Sequence, residues 1–169
     1  MSEALIGMGA NLGDARATLA AAVAAFCDGA EVRLVARSAD YLTPPWGVED
    51  QPPFVNLCLR IETALPPKAL LRRALDVESR FGRDRARERR WGPRPLDIDI
   101  LAYDELVLDA PELQLPHPRM KERAFVLTPL LDVAPEWRIG GETVEALAQR
   151  VEASGIRRLP QQTPRNGAG

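Results

Sequence analysis

Apolar side chains recur at two spacings along this chain: every second position in some segments, and every third or fourth in others. The first spacing is typical of a strand with one buried face, and the second of an amphipathic helix. With the turn signals between segments, they predict the order strand, helix, strand, strand, helix, strand. The predicted elements are a strand at Ala4–Met8, a helix with Leu19, Val23 and Phe26 on one face, strands at Glu31–Tyr41 and Phe54–Thr63, a helix that starts at Pro66 and Pro67 and stops near Gly82, and a strand through Leu96, Ile98 and Ile100.

This order is that of a ferredoxin-like α+β fold, in which helices cover one face of an antiparallel sheet and leave the other face open. In the strand Phe54–Thr63, every second residue from Val55 to Ile61 is aliphatic, which predicts one face buried in the core. The opposite face of the sheet is then expected to carry Phe54, Asn56, Asp97 and Asp99 together. A later apolar helix around Phe125–Leu131 and a weaker amphipathic segment at Thr143–Val151 follow these elements.

Length and composition indicate one globular domain. The chain has 169 residues, of which 46% are hydrophobic and 27% charged, which is enough apolar material for a core of its own. We predict a single domain at 1–159 and a disordered tail at 160–169, because the sequence from Pro160 is polar and has no apolar period. No apolar run is long enough to cross a membrane, and the first residues lack a secretory pattern. A cytoplasmic protein with reduced thiols at Cys27 and Cys58 is the expectation.

Scarce residue types exclude several kinds of site. A single histidine, His117, is too few for a zinc finger or an HExxH centre, so a metal would be held mainly by carboxylates, which favours Mg²⁺. Only two of the 22 basic residues are lysines, neither of them preceded by glycine, so a Walker A loop is absent. Gly7, Gly9 and Gly13 nearly form a GxGxxG pattern, but the third glycine is one residue late. They are predicted to be turn residues.

The basic residues are concentrated in one segment. Residues 80–94 contain seven arginines against Asp84 and Glu88, a local charge of +5, which leaves −7 for the rest of a chain whose total is −2. Like charges at this density repel one another unless an anion neutralises them. Arginine suits phosphate because its planar guanidinium binds two oxygens at once. Trp91 within this segment could stack on a heterocyclic ring or pack on the core.

Two carboxylates follow the arginines. Asp97 and Asp99 at positions i and i+2 of a strand point to the same side, with Cα atoms roughly 6.5 Å apart. This spacing suits a pair of divalent ions at a phosphoryl-transfer site, although two solvated carboxylates are the simpler explanation of the motif alone. An RNA-binding module of the RRM type shares the fold and the basic segment, but the sequence lacks its RNP1 pattern. Another two-metal phosphotransferase also remains open.

Five motifs together resemble one enzyme family. TPPWG, DQPPFVN, RWGPRPLDIDI, LPHPRM and KERAFVLTPL are similar to segments of the 6-hydroxymethyl-7,8-dihydropterin pyrophosphokinases of folate biosynthesis, over about Leu5 to Trp137. The resemblance implies a monomeric ferredoxin-like αβα fold. It also implies transfer of the β,γ-diphosphate of ATP to the hydroxymethyl group of the dihydropterin, with release of AMP. No nucleic acid and no membrane would be a partner.

The resemblance also implies roles for individual residues. Asp97 and Asp99 would hold two Mg²⁺ ions on the triphosphate, and Arg83 and Arg94 would contact the phosphates and stabilise the transferred group. The ATP site would be lined by Glu78, Arg90, Trp91, Ile100, His117 and Arg123. The pterin slot would be built by Thr43, Pro45, Trp46, Phe54, Asn56 and Phe125, with aromatic rings on the pterin faces and Asn56 reading its edge.

Overall fold

The computed structural model describes residues 1–44, 50–82 and 95–162. Its first elements follow the predicted order, except that one predicted strand is two, and short elements follow the fifth strand. The elements are β1 (Ser2–Ala10), α1 (Ala15–Phe26), β2 (Val32–Arg37), β3 (Tyr41–Thr43), β4 (Phe54–Thr63), α2 (Pro67–Arg80), β5 (Asp97–Tyr103), β6 (Leu108–Asp109), β7 (Gln114–Leu115), a 3₁₀ turn (Met120–Glu122), α3 (Ala124–Leu130), β8 (Arg138–Ile139), β9 (Glu142–Thr143), α4 (Val144–Ala148) and β10 (Arg157–Arg158).

Strand β1 lies inside the main sheet and pairs antiparallel with β4 on one side and with the edge strand β5 on the other. The far edge of β4 is shared by β2 and β3, which pair with different stretches of it. Strand β10 then pairs with β3, so the order across the sheet is β10-β3-β4-β1-β5, with β2 off this path. The antiparallel α+β fold predicted from the sequence is confirmed.

The two long helices begin and end at residues that the sequence marks. The Asp14 side chain caps α1 by accepting a hydrogen bond from the Ala17 amide at 3.1 Å. Helix α2 starts with Pro67 in its first turn, where the missing N–H of proline costs nothing. It is followed by Gly82 at φ +83°, a left-handed conformation that glycine adopts without strain.

Helices cover the sheet on both faces. On the first face, Ile6 and Leu59 pack with Leu19 of α1 and Leu70 of α2. On the second face, a separate apolar cluster joins the sheet to α3 and α4; it contains Leu5, Cys58, Leu101, Val126, Leu127, Leu130, Val144 and Leu147. The second face was expected to be free, but α3 covers part of it. Its uncovered part is the end that carries Gly9, Asn56 and Asp97.

Two details differ from the sequence-based expectation. The strand predicted at Glu31–Tyr41 is two strands, since β2 ends at Arg37 and β3 begins at Tyr41. The register of β2 on β4 also shifts between Leu34 and Ala36. This shift indicates a β-bulge, which interrupts the simple alternation. Gly7 and Gly9 were predicted to be turn residues and instead lie inside β1, whereas Gly13 does lie in the turn before α1.

The chain after α4 returns to the edge of the sheet. Leu159 donates its amide to the Asp40 carbonyl at 2.8 Å, and the Arg16 guanidinium donates to the Pro160 carbonyl at 2.7 Å. The predicted tail at 160–169 lies mostly outside the described residues, so the domain limits stay a prediction. Within the described part of the chain, the structure contains no helix with the length and apolar character needed to span a membrane.

Candidate active site

Strand β5 presents the two aspartates on the second face. Ile98 and Ile100 alternate with them and are buried at 4% and 3% exposure in the first-face core, which fixes the direction of the carboxylates. Asp97 and Asp99 are partly exposed. The sequence-based prediction that this pair shares the uncovered face with Asn56 agrees with the structure.

The strand register brings the two halves of the site together. Gly9 of β1 lies opposite Asn56 of β4 on one side and opposite Asp97 of β5 on the other. Two interstrand spacings of about 4.8 Å put the Cα atoms of Asn56 and Asp97 roughly 10 Å apart. Gly9 itself is buried between them. A depression of about 30 Å³ includes Asn56, both aspartates and the side chain of Phe125 from α3.

Thr43 fixes the orientation of the Asn56 amide. Thr43 is 2% exposed, and its hydroxyl accepts a hydrogen bond from Asn56 Nδ2 at 2.7 Å while it donates to the Phe54 carbonyl at 3.4 Å. The pairing of β3 with β4 places Thr43 directly opposite Phe54. Three of the predicted pterin-binding residues, Thr43, Phe54 and Asn56, therefore form one hydrogen-bonded group at the end of the sheet.

Helix α3 contributes an aromatic ring and a cation. The Arg123 guanidinium lies over the Phe125 ring, 5.4 Å from its centroid, in a cation–π contact that fixes both groups. Arg123 is 8% exposed, and Phe125 is partly exposed. The first turn of α3 thus presents a ring and a charged group at the uncovered end of the second face.

His117 is neutral near physiological pH. Burial is the main cause that lowers its pKa from 6.5 to about 4, the Arg123 charge lowers it further, and Asp97 opposes both. Its Nδ1 atom accepts a hydrogen bond from the Arg119 amide at 3.2 Å. In the neutral ring the hydrogen must then be on Nε2, which leaves that nitrogen as a donor. A neutral donor of this kind can bind a phosphate or ribose oxygen.

A larger cavity lies on the outer side of β5. Its volume is about 510 Å³, and it is lined by Asp99, Ile100 and His117 together with residues of α2 and of the 111–118 segment. Leu71, Leu75 and Leu113 supply apolar walls. Sequence reasoning missed these leucines, because their spacing is that of ordinary core residues. The volume is in the range of small-molecule sites.

Glu78 of α2 forms a buried hydrogen bond with strand β5. It is 2% exposed, and its Oε2 accepts a hydrogen bond from the Ile98 amide at 2.8 Å. Ile98 lies between the two aspartates, so the carboxylate at the end of α2 anchors the strand that carries them. The contact with ATP that the resemblance implies for Glu78 stays a prediction.

Asn11 and Gln51 form a buried hydrogen-bonded pair that was not predicted from the sequence. Asn11 Nδ2 donates to Gln51 Oε1 at 2.9 Å and to the Pro52 carbonyl at 3.0 Å. These contacts tie the turn after β1 to the segment that enters β4.

Six predicted site residues lie outside the described residues, namely Pro45, Trp46, Arg83, Arg90, Trp91 and Arg94.

The described donor atoms fit Mg²⁺ bound together with a nucleotide. Among the described residues no three His, Cys, Asp or Glu side chains form a complete metal site. Mg²⁺ commonly takes only one or two protein carboxylates and completes its octahedron with substrate phosphates and water. Two adjacent, partly exposed carboxylates on an open face match that requirement.

Known proteins that are similar to this chain agree with one another. The model of the 7,8-dihydro-6-hydroxymethylpterin-pyrophosphokinase (HPPK) family matches residues 5–135. A 2-amino-4-hydroxy-6-hydroxymethyldihydropteridine pyrophosphokinase of Methylorubrum extorquens is 48% identical over 159 residues, which cover 94% of this chain and 99% of that protein. A protein of the same name from Pseudomonas aeruginosa is 44% identical, covering 92% of this chain and 95% of the other.

Solved structures agree on the fold. The crystal structure of wild-type Plasmodium falciparum HPPK-DHPS with SDX-DHP matches with a TM-score of 0.65 and 14% sequence identity, over 94% of this chain and 47% of that one. This chain therefore spans about half the length of that protein, and the likeness concerns the fold. The family match over most of the sequence and the close full-length relatives show that the chain belongs to the 7,8-dihydro-6-hydroxymethylpterin-pyrophosphokinase family.

Proposed function

We propose that the uncovered end of the second face, between Asn56 and the pair Asp97 and Asp99, is where this chain carries out the reaction of its family. The chain is an ATP-dependent diphosphotransferase of folate biosynthesis. In that reaction the hydroxymethyl oxygen of the dihydropterin attacks the β-phosphorus of ATP. The bond between that phosphorus and the oxygen bridging to the α-phosphorus breaks, and AMP leaves.

The observation that carries the proposal is the register across β4, β1 and β5. This register places the Asn56 amide, which can form hydrogen bonds with a heterocycle, on one side of Gly9. It places the Asp97 carboxylate, which can bind a metal ion carried by a phosphate, on the other side. A pterin whose amino and oxo edge binds Asn56 would extend its hydroxymethyl arm over β1 towards Asp97. Holding the alcohol in line with the β-phosphorus supplies much of the catalysis, because phosphoryl transfer depends mainly on placement and charge neutralisation.

Asp97 and Asp99 would hold two Mg²⁺ ions, whose chemistry is to neutralise the charge of the triphosphate. The partial exposure of both carboxylates supports this role. Of the arginines, Arg123 would act from the first turn of α3, and Arg83, Arg90 and Arg94 from the basic segment. Neutral His117 would donate Nε2–H to the nucleotide, and Ile100 would line its pocket, with Trp91 and Glu78 as its further contacts.

Thr43, Phe54, Asn56 and Phe125 would form the pterin slot together with Pro45 and Trp46. Phe54 comes from β4 and Phe125 from α3, and the two rings would clamp the two faces of a flat ring. Thr43 would act through Asn56, because its hydroxyl holds one hydrogen of the amide. Aromatic stacking and the apolar surroundings favour a neutral bicyclic ring over a charged ligand.

The chain would act as a monomer made of one domain at 1–159, as the family resemblance implies. The two cysteines are unpaired, with Cys58 buried, which suits a reducing compartment such as the cytoplasm. An RNA-binding role is not favoured, because two carboxylates on the uncovered face would repel a phosphate backbone. Light scattering of the purified chain at one subunit mass would support the monomer, and a dimer mass would contradict it.

Asn56→Ala tests the slot directly. We expect the affinity for the dihydropterin to fall about tenfold or more, as expected when a polar ligand loses paired hydrogen bonds, while the affinity for MgATP stays within about twofold. Titrations in the presence of Mg²⁺ and the nonreactive analogue α,β-methylene ATP measure the two constants separately. Equal losses for both ligands would contradict the assignment of Asn56 to the pterin.

A further inference from the structure

We infer that Gly9 is a positioning residue for the dihydropterin, because its missing side chain creates the space in which the Asn56 amide takes its orientation. The inference rests on the proposed function of Asn56 and adds a residue that has no polar side chain of its own. Gly9 lies in an interior strand of the sheet, where glycine is unfavourable unless something requires it.

The space above Gly9 is occupied by Asn56. A Cβ atom built on Gly9 would meet Asn56 Oδ1 at less than 3.0 Å, and Asn56 Cγ at 3.4 Å. Real Cβ contacts are essentially never that close, so the amide would have to move. Gly9 itself is buried, and the neighbouring Ala10 and Met8, whose side chains turn to the first face, are part of the core. The strand therefore has no freedom to tilt away.

The Asn56 amide can move only by giving up its present contact. Its Nδ2 donates to the Thr43 hydroxyl at 2.7 Å, and Thr43 is itself fixed by its pairing with Phe54. Rotation of the amide away from a new methyl group would break this hydrogen bond and turn the polar edge away from the slot. The backbone pairing of β1 and β4 does not depend on that side chain, so the sheet can persist while the amide is displaced.

Gly7 provides a matched control in the same strand and on the same face. The three atoms nearest to a Cβ atom there would all belong to the Leu101 side chain, the closest at 3.5 Å, which is ordinary van der Waals contact. Leu101 belongs to the apolar cluster under α3. An alanine at position 7 therefore adds a methyl group to an apolar contact, whereas the same change at position 9 displaces a polar one.

The experiment compares Gly9→Ala and Gly7→Ala in the full chain. With Mg²⁺ present, we expect Gly9→Ala to raise the KM for dihydropterin about tenfold or more while the KM for ATP changes less than about twofold. Gly7→Ala should leave both constants within about twofold. A Gly9→Ala enzyme whose two KM values both match the wild type would overturn the inference, and so would equal increases in both.

A double variant shows whether Gly9 acts through Asn56. In the Asn56→Ala background no Oδ1 atom remains, so adding Gly9→Ala should change the dihydropterin affinity less than about twofold. If Gly9→Ala alone fails to fold, the double variant should regain a cooperative thermal transition, because the collision is removed. Independent, additive losses, or no regain of folding, would contradict the inference.

The single variants distinguish failure of the inference from failure of the proposed function. If Asn56→Ala by itself leaves pterin binding unchanged, the proposed slot is wrong. If Asn56→Ala weakens pterin binding and Gly9→Ala does not, the inference alone fails.

Discussion

The imidazole of His117 has its protonation state set by its surroundings. Burial and the Arg123 charge outweigh the attraction of Asp97 and lower its pKa from 6.5 to about 4. The group is therefore a neutral donor, and in the proposed site it would bind an oxygen of the nucleotide without adding charge. This role differs from that of the arginines, whose charge is permanent.

We predict that the His117 imidazole in the free protein titrates with a pKa of about 4. Because the chain has one histidine, its ring protons in an NMR pH titration can be assigned without ambiguity. The shift also makes the stability of the fold depend on pH: stability is unaffected above pH 6.5 and falls as the pH falls towards 4, since the unfolded chain binds the proton first. A measured pKa of 6.5 or above would contradict the burial of this ring.

The two aspartates can be tested as metal ligands. We expect Asp97→Asn and Asp99→Asn each to lower kcat by more than about a hundredfold, because charge neutralisation at the phosphates is worth several kcal/mol. Both side chains are partly exposed, so the thermal unfolding midpoint should change little. Asp76→Asn, on the exposed side of α2, is the matched control and should retain activity. Loss of cooperative unfolding in the site variants would show that the aspartates are structural instead.

At the scale of elements, α2 and β5 are joined by a buried carboxylate. Glu78 accepts the amide of Ile98, and that amide lies on the outer edge of β5, where no neighbouring strand of the described sheet pairs with it. We predict that Glu78→Ala lowers the free energy of unfolding by about 1–3 kcal/mol, the usual cost of a buried donor left unsatisfied. Urea unfolding measures this, with the exposed neighbour variant Ser79→Ala as control. Unchanged stability in Glu78→Ala would show that the contact is not needed to hold β5.

Elements in which the apolar residues keep one spacing could be predicted from the sequence, and elements in which that spacing changes could not. Strand β4 alternates without a break from Val55 to Ile61, and its faces were predicted correctly. The segment Glu31–Tyr41 was predicted to be one strand, because nothing local marks the bulge beside Val35 or the break between Arg37 and Tyr41. Gly9 was misread because its reason for being glycine, the Asn56 amide, is 47 positions away along the chain.

At the scale of the whole molecule, the motifs predicted the family, and the order of the elements predicted that one face of the sheet is open. Neither predicted that α3 covers part of that face. Helix α3 and the residues that pack on it close the part around Leu5 and Leu101. What remains is a short end, which is where Asn56, Phe125 and the aspartates meet. Packing between distant segments decided this boundary, and such packing leaves no local pattern.

The most direct test of the central claim is an analysis of the products by phosphorus NMR. The purified chain is incubated with ATP, Mg²⁺ and 6-hydroxymethyl-7,8-dihydropterin, and the nucleotide and pterin signals are followed together. We predict that AMP and the dihydropterin diphosphate appear in equal amounts, and that neither forms when the pterin is left out. Formation of ADP, or release of AMP that does not depend on the pterin, would contradict it.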